Sequence, residues 1–553
     1  MTIQTAISAS RLALHPAFHS AALLAHDAAG CVNVVAEAEL DRHGVGALLV
    51  PLEHGGSRPA MPELMLALRD IGRYDLALGL GSCMTALMAA ANVWLAGDDA
   101  QGRRFGEILC RGGRVAIAYH ELAHGNDLPS MQVAAAPSRG GYRLSGAKEV
   151  INNIDRAEAV VLFASTGGIN PRRAHSLFLL ERVHLSGPGV EFLPCYDPLG
   201  VRGCRIGGIR FDQHEIPASC LLGAEGAGLE YALRAFQTTR TLLPGISLGA
   251  VATAHGLVTH FALARCLYGA NLLALPLVRA TLAQTAAEIW AADCLTRLLA
   301  ACLHHAPAAM QAYGSLGKYL VPKMMQGVLR QLAATLGARF YLRGGEYGLF
   351  EKIVRDYPVV SFGHAGALVC QSSVVPFLPR MLGQHGHGLP LAGLLDPTCM
   401  PPFDPRALNL RMPAGDPLLD SLPEVVAAID RGEPAFAPSL AASYRAAAAA
   451  LMAERAHMAR TLAPAASVSA GKDVRRYGLM LTAAAVLLRR VARPNDGDVA
   501  DDLSLLALDE LLRKLGLGQV AQDGIQPEIL RANAGDAVVE HLTALSSANK
   551  SLI

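Results

Sequence analysis

Seven short runs of β-forming residues follow one another between residues 113 and 222, and sequence with helical periodicity flanks them on both sides. Each run is bounded by Gly, Pro, Asn or Asp, which is typical of strands joined by short turns. The runs are Arg114–Tyr119, Gln132–Ala136, Gly141–Ser145, Ala159–Ser165, Ser176–Glu181, Val190–Pro194 and Ile209–Asp212. This spacing predicts a β-sandwich or small barrel inserted into an otherwise helical chain.

The flanking sequence carries apolar residues three and four positions apart, as in Glu63 to Ile71 and Met84 to Trp94, and this predicts helices. A Pro/Gly-rich stretch from Gln384 to Pro405 is typical of a linker. We therefore predict an α+β, mainly α chain in four parts. They are an N-terminal helical domain (1–112), a central β-domain (113–222), a four-helix-type bundle (223–375) and an additional helical extension (376–553).

Composition excludes several classes of protein. With 52% hydrophobic and 17% charged residues, the chain has enough apolar surface to offset the entropy of ordering, so most of it is not disordered. The 48 Lys and Arg balance 47 Asp and Glu, which argues against a nucleic-acid partner. The extension is near neutral as well.

Eleven scattered cysteines without a Cys-x-x-Cys pair indicate reduced thiols and a cytoplasmic location. No metal is predicted, because His385 and His387 on a Gly-rich loop are too few ligands for a site. The longest apolar stretches, such as Tyr477 to Leu488, are shorter than a bilayer span, so we expect no membrane partner.

Two motifs lie in the strand region. Tyr119 to Asp127 reads Tyr-His-Glu-Leu-Ala-His-Gly-Asn-Asp, and Gly141 to Asn153 reads Gly-Tyr-Arg-Leu-Ser-Gly-Ala-Lys-Glu-Val-Ile-Asn-Asn. By their residues alone, the first is an ordinary turn with a solvated acid and the second a hairpin with Gly-rich turns. Their spacing resembles "T-E-P-x-A-G-S-D" and "G-Y-x-L-N-G-x-K-x-W-I-T-N" of the acyl-CoA dehydrogenase superfamily.

Further motifs extend the resemblance over roughly residues 15 to 375. Arg265 to Gly269 resembles the family's "R-x-x-F-G", and Arg343 to Gly348 with Glu351 to Asp356 resembles "G-G-x-G … E-x-x-x-R-D". The extension matches nothing beyond long family members that carry an extra helical domain.

The resemblance implies an FAD flavoprotein that is a homodimer or homotetramer. In the family, the first two motifs lie beside the flavin ring, and the arginine of the third reaches across the dimer to the nucleotide's pyrophosphate. Carried over residue by residue, the cofactor-binding positions are Tyr119, His120, Glu121, Gly125, Asn126, Val150, Ile151, Asn152, Arg265, Tyr268, Gly344 and Gly345.

Four of these positions depart from the family pattern. His120 and Asn126 replace the usual Thr and Ser of the first motif. Val150 stands where a Trp covers the flavin, so we expect a less covered ring face. Asn152 stands where a Thr reaches the flavin N5, and we expect its amide to donate there instead.

The family's reaction removes an α-proton from an acyl thioester while a hydride leaves the β-carbon for the flavin N5. The base is a Glu, placed nine residues after the Arg of Arg-Asp or, in some relatives, just before another Arg. Here those positions are His364 and Thr239, so neither is a carboxylate.

Three interpretations remain open. His364 is the base, since an imidazole suits neutral pH, or else it is a helix-start histidine bonded to a carbonyl. Alternatively, Glu346 or Glu351 is recruited through a shortened loop. In the third interpretation, the site no longer performs α,β-desaturation.

We therefore expect an FAD-dependent enzyme that oxidises an acyl thioester of CoA or of an acyl carrier protein and passes electrons to an electron-transfer acceptor. One alternative is a flavin-dependent monooxygenase on the same scaffold. The other is a flavin-bearing, non-catalytic DNA-binding protein similar to the family's alkylation-response member. The extension is expected either to dock a carrier or to enlarge the oligomer.

Overall fold

The computed structural model describes residues 12, 15–167, 173–411 and 414–518. They form two compact units, the first from residues 1–59, 70–239 and 404–410, and the second from 60–69, 240–403 and 411–553. The division into four parts stays a prediction.

Six α-helices precede the strands in the described chain, and a π-helical turn, Gly79–Met84, separates two of them. The last one begins at a capping box, in which Asp98 accepts from the Gln101 backbone and the Gln101 side chain accepts from the Asp98 backbone. The helices are α1 (Ser20–Ala29), α2 (Val34–Arg42), α3 (Met61–Tyr74), α4 (Leu76–Leu78), α5 (Thr85–Ala96) and α6 (Asp99–Cys110).

All seven predicted strands are present, and a short eighth strand follows them. They are β1 (Val115–Ala118), β2 (Ala134–Ser138), β3 (Gly141–Asn152), β4 (Ala159–Ser165), β5 (His175–Glu181), β6 (Val190–Leu193), β7 (Ile206–Pro217) and β8 (Leu221–Leu222). They join into one mixed sheet in the order β6-β7-β3-β2-β4-β5-β8, with β1 on β4. The predicted arrangement was a sandwich or barrel. The observed sheet differs from this prediction because the local spacing of strands carries no information on which distant strands pair.

The centre of the sheet is apolar on both faces. All residues of β4 from Ala159 to Ala164 are buried, which is typical of a central strand covered on both sides. Strands β3 and β7 form the longest pair, and its register shifts twice, between Leu144 and Gly146 and between Glu149 and Ile151. The second shift is a bulge that re-aims the chain at Val150.

Among the described residues after the sheet, the regular secondary structure is helical except for one small hairpin, β9 (Cys266–Leu267) and β10 (Ala270–Asn271). The longest helix, which opens this region, is α7 (Gly228–Ala264). The others are α8 (Pro276–His305), α9 (Met310–Leu336), α10 (Gly348–Asp356), α11 (Val359–Phe362), α12 (Ala367–Val374), α13 (Leu378–Gly383), α14 (Leu422–Asp430), α15 (Pro438–Thr461), α16 (Val468–Ala492) and α17 (Asp498–Lys514). The chain is thus mainly helical around a central sheet, as predicted.

The described part of the extension belongs to the core of the second unit. Every residue of α16 from Tyr477 to Val491 is buried. On this helix, Arg489 pairs with Asp293 of α8 at 2.8 Å and lies over the Trp290 ring. Tyr477 donates a 2.5 Å hydrogen bond to the buried Asp416, which also accepts from Tyr313 of α9 at 2.6 Å. These contacts tie the extension to the bundle helices.

Within the described ranges, two helical segments are long and apolar enough to cross a membrane by length and composition, or three if the bent pair Gly348–Phe362 and Ala367–Gly383 counts as one span. The two single segments are Leu76–Ala96 and Gly228–Ala264, and 83% of the qualifying window of each is buried within the protein. The sequence-based statement that all apolar stretches are too short to span a bilayer was therefore wrong for these segments, since it considered only uninterrupted apolar runs.

Candidate functional site

A buried ion pair holds the first motif against the sheet. Glu121 accepts a 2.8 Å hydrogen bond from Lys148 of β3 and further hydrogen bonds from the backbone of Gln132 and Val133. Burial alone would raise the pKa of Glu121, but these donors outweigh it and lower that pKa. Burial lowers the pKa of Lys148 to about 8, although Glu121 opposes the shift. Glu121, predicted to contact a cofactor, is therefore engaged in positioning its own loop.

Tyr119 and Ile151 also face the interior. Tyr119 donates a 2.7 Å hydrogen bond to Asn92 and packs against Phe163 and Phe236. Ile151 belongs to the apolar core of the sheet. Among the predicted cofactor residues, these two have side chains that serve packing, which leaves only their backbone groups for a ligand.

The rest of the first motif is an open turn. His120 lies within 3.2 Å of the Glu149 carbonyl oxygen through Nδ1, and Asn126 is exposed. Gly125 has a φ of +54°, where a side chain is disfavoured, and no atom lies within 4 Å of the position a Cβ would take. The turn therefore offers backbone groups to solvent or to a ligand.

The second motif contains a strained residue and an orphaned acceptor. Val150 has a φ of +57°, which is unusual for a β-branched residue and is typical of functional sites. The Asn152 amide donates to the Gly81 carbonyl at 2.7 Å and to the Thr85 hydroxyl at 2.9 Å. Both of its hydrogens are used, so the donor role predicted for Asn152 is not available in this arrangement. Its Oδ1 is buried without a hydrogen-bond partner among the described residues.

The third motif lies on the exposed β9–β10 hairpin of the second unit. Tyr268 is 95% exposed and has a φ of +55°. Arg265 is exposed, and its guanidinium has no ion-pair or hydrogen-bond partner within the part of the chain that the structure describes. An unpaired guanidinium and an exposed ring leave this hairpin free to contact another molecule.

The fourth motif approaches the helix that leads into this hairpin. Phe261 of α7 packs edge-on against Tyr347 with ring centroids 5.4 Å apart, and Arg339 lies over both rings. Gly344 and Gly345 have φ of +78° and +71°, and the space beside each is open. The structure thus brings the neighbourhoods of the third and fourth motifs together, as a shared cofactor role requires.

His364 lies in a cationic environment within the second unit. It has a φ of +54°, and Ala365 beside it has a φ of +81°. Burial, with the nearby cations Arg240 and Lys318, holds the pKa of His364 well below its ordinary value of 6.5. The imidazole is therefore neutral at pH 7 and can accept a proton, but the two cations reduce its basicity.

The two alternative carboxylates have other partners. Glu351 accepts a 3.0 Å hydrogen bond from Arg355 one helical turn later. Glu346 lies 3.9 Å from His260. Neither is among the groups that shift the pKa of His364.

Sequence reasoning missed the roles of Lys148 and Lys318. Each is wholly buried, and Lys318 donates to the Val360 carbonyl. A single charged residue within an apolar helical run, as Lys318 is between Gly314 and Val321, was the available signal.

Part of the arrangement fits a flavin nucleotide. The orphaned Asn152 Oδ1 can accept a hydrogen bond from the ring edge, and the open turn at Gly125 lets backbone groups approach it. Arg265 offers a planar fork suited to a pyrophosphate. For metal binding, no group of three or more His, Cys, Asp or Glu residues comes together among the described residues. All eleven cysteines are free thiols.

Comparison with known proteins agrees with these observations. Residues 116–214 match the acyl-CoA dehydrogenase middle domain, and residues 226–367 match the acyl-CoA dehydrogenase C-terminal domain. An acyl-CoA dehydrogenase of Bacillus subtilis is 27% identical over 223 residues, which are 40% of this chain and 57% of that protein. The chain thus spans little more than half of this relative.

Two solved structures share the fold. Butyryl-CoA dehydrogenase from Megasphaera elsdenii has a TM-score of 0.63 at 21% identity, covering 69% of this chain and 99% of that one. The prolyl acyl carrier protein oxidase AnaB has a TM-score of 0.61 at 19% identity, covering 68% and 98%.

The fold and the paired domain matches define the class. The chain belongs to the acyl-CoA dehydrogenase superfamily, whose members are FAD-dependent flavoproteins. Its departures from the family pattern include His120, Asn126, Val150, Asn152 and His364.

Proposed function

We propose that the protein is an FAD-dependent oxidoreductase that desaturates an acyl thioester between Cα and Cβ. The observation that carries the proposal is the match to both family domains together with a flavin-compatible arrangement in the first unit, where the turn at Gly125 is open and Asn152 at the end of β3 presents an unpaired acceptor. When bound, FAD would supply the two-electron oxidant for this reaction.

The residues of the first unit would bind and orient the ring. Backbone groups of the turn at Gly125 and the Asn152 Oδ1 are the proposed contacts, and the Lys148–Glu121 pair holds the turn in place. The strained Val150 would present its side chain where the family has a larger aromatic residue.

Four residues of the second unit would bind the nucleotide part of a partner subunit's cofactor. Arg265, Tyr268, Gly344 and Gly345 are proposed for this role because they are exposed on this protomer. The proposal requires at least a homodimer and predicts that Arg265 contributes to flavin retention.

His364 is the proposed base. It is neutral at pH 7 and so is ready to accept the α-proton, whereas Glu351 is held by Arg355. A neutral imidazole beside two cations is a weaker base than the family's carboxylate. The α-proton of the substrate must therefore be acidic enough for a weak base to remove it.

The carrier, the electron acceptor and the location are proposals as well. The thioester is that of CoA or of an acyl carrier protein, electrons pass to an electron-transfer acceptor, and eleven free thiols favour a cytoplasmic location.

The test is to mix the purified yellow protein anaerobically with acyl thioesters of CoA and of a carrier protein. Loss of the flavin absorbance is the expected result. A fully flavinylated protein that no thioester bleaches would contradict the proposal.

One observation favours a second candidate, a flavin-dependent monooxygenase. Neither position of the family's base holds a carboxylate, and the residue at one of them is surrounded by cations. This candidate predicts oxygen consumption with an added flavin reductant and no bleaching by thioesters.

A further inference from the structure

The loop that carries the proposed base is held at both ends by one helix. This loop, residues 363–366, connects α11 to α12. Before the loop, Lys318 of α9 donates a hydrogen bond to the Val360 carbonyl of α11. After the loop, the next residue of α9, Tyr319, accepts a 2.9 Å hydrogen bond from Gln371 of α12. Two adjacent residues of α9 therefore fix the two short helices between which the loop runs.

The extension provides a third contact to this segment. The side-chain amide of Gln371 donates a second hydrogen bond, at 2.7 Å, to the carbonyl oxygen of Gly471 near the start of α16. The two helices approach closely at this point, since a Cβ added to Gly471 would lie 3.2 Å from the amide nitrogen of Gln371. The absence of a side chain at Gly471 is therefore part of the fit between α16 and α12.

The loop itself has a strained backbone. His364 has a φ of +54° and Ala365 a φ of +81°, in the left-handed region that residues other than glycine seldom adopt. Such conformations persist only where the surrounding structure over-determines them. The hydrogen bonds made by Lys318 and Gln371 constrain the loop from either side, so the conformation of His364 depends on where α11 and α12 are held.

The basicity of His364 depends on the same placement. Burial and the cations Arg240 of α7 and Lys318 of α9 lower the pKa of its imidazole. Cys370, the neighbour of Gln371 on α12, is buried beside both cations, and burial raises the pKa of its thiol, so the thiol is neutral. A shift of α12 would change the distance between the imidazole and the two cations, and with it the proton affinity of the base.

We propose that the extension positions the proposed base. Helix α16, through the Gly471 carbonyl and Gln371, sets the place of α12 and thereby that of His364, an inference that rests on the proposed function. His364 lies inside the match to the family's C-terminal domain, which ends at residue 367, whereas α16 (Val468–Ala492) lies outside both family matches. The histidine that stands in place of the family's Glu is thus supported by a part of the chain beyond those matches. Gln371 and Gly471 are positioning residues.

Three variants of the full-length, flavin-containing protein test this role. Gly471→Ala adds a methyl group that presses on the Gln371 amide, although alanine favours a helix more than glycine does. A purely structural role therefore predicts an equal or higher melting temperature and no other effect. Gln371→Met removes both hydrogen bonds at similar side-chain length. The matched control is Gly256→Ala on α7, where no atom lies within 4 Å of the added Cβ.

The first measurement is the exchange of the imidazole C2 hydrogen of His364 for deuterium, followed over a range of pH by mass spectrometry of its peptide. This readout needs no turnover. We expect exchange about threefold faster or more in Gly471→Ala and in Gln371→Met, because the loop opens more readily. The pH midpoint should move up toward the ordinary value of a histidine, since burial and the two cations both lower it in the wild type. Gly256→Ala should behave as the wild type.

The second measurement is the rate of anaerobic flavin bleaching by an acyl thioester. In Gly471→Ala and Gln371→Met, we expect kcat to fall about tenfold at an unchanged KM, because a misplaced base slows the chemical step and leaves binding intact. The melting temperature and flavin content of Gly471→Ala should match or exceed those of the wild type.

Wild-type exchange and pH midpoint at His364 in the variants would overturn the inference, as would an equal change in Gly256→Ala. If one of the two test variants does not fold, the other decides. Altered exchange at His364 in a protein that no thioester bleaches would support the positioning and count against the proposed function. Bleaching of the wild type together with unaltered exchange in the variants would do the reverse.

Discussion

Lys148 donates a 2.8 Å hydrogen bond to Glu121, and both side chains are buried although the residues are 27 positions apart. The pair connects the turn of the first motif to β3. Since the turn carries the proposed ring contacts, this buried ion pair would hold those contacts in position.

The ion pair between Lys148 and Glu121 is predicted to stabilise the folded protein. Lys148→Met should lower the free energy of unfolding by about 3–5 kcal/mol, because Glu121 would remain as a buried carboxylate without its cation. Denaturant titration measures the loss, and Lys472→Met at an exposed lysine is the matched control. The double variant Lys148→Met/Glu121→Gln should recover part of it. Equal stability of Lys148→Met and Lys472→Met would refute the role of the pair.

The same ion pair is predicted to make the stability of the folded protein depend on pH. The pKa of Glu121 in the folded protein lies below its ordinary value of 4.5, so its contribution to stability is complete above that pH and is lost as the pH falls through the folded value. Glu121→Gln should therefore show a shallower loss of stability in acid than the wild type. Parallel acid unfolding curves would argue against this.

His364 is predicted to act in proton transfer. His364→Ala should reduce the rate of flavin bleaching by about a hundredfold or more with the flavin content unchanged, and His457→Ala at an exposed histidine should not. In the enzyme without substrate, the pKa of His364 lies well below 6.5. Titration of His364 should therefore leave kcat/KM unchanged from pH 6.5 to 8 and lower it only in more acidic solution. A full rate in His364→Ala would remove it as the base.

Arg265 is predicted to retain the cofactor. Arg265→Ala should lower the ratio of FAD to protein after gel filtration, whereas Arg330→Ala, at an exposed arginine on α9, should keep the wild-type ratio. The melting temperature of the flavin-free protein should be the same for both variants. Unchanged flavin retention in Arg265→Ala would contradict the role of the hairpin.

The extension is predicted to be required for folding. A chain that ends at residue 403 loses α16, whose Arg489 neutralises Asp293 and whose apolar residues fill the core of the second unit. We expect this truncated protein to be insoluble or to lack a cooperative thermal transition. A cooperative melt at the wild-type temperature would show that the extension is an independent domain.

The sequence located the strands well because each is delimited by its own turn residues. It did not reveal that β1 and β2 pair with β4, since pairing between distant segments leaves no local pattern. The extension was predicted as a separate part, which stays a prediction, and the structure adds that α16 is buried from Tyr477 to Val491. The signal was the unbroken apolar run from Tyr477 to Leu488, which is typical of a central helix.

The site was predicted in outline from the family resemblance. Gly125 has free space beside its backbone and Arg265 is exposed to solvent, as their predicted roles in binding a cofactor require. The donor role predicted for Asn152 conflicts with the structure, because its amide hydrogens are used by Gly81 and Thr85 of a segment far away in sequence. The charge environment of His364 could not be predicted, since Arg240 and Lys318 come from two other helices.

The most direct test of the account is product analysis after a single anaerobic turnover of the flavin-containing protein with an acyl thioester. We predict a product with two hydrogens fewer than the substrate, formed in an amount equal to the flavin, as mass spectrometry would show. A substrate recovered unchanged, or one that gains an oxygen atom only when air and a flavin reductant are supplied, would contradict the assignment as an acyl thioester dehydrogenase.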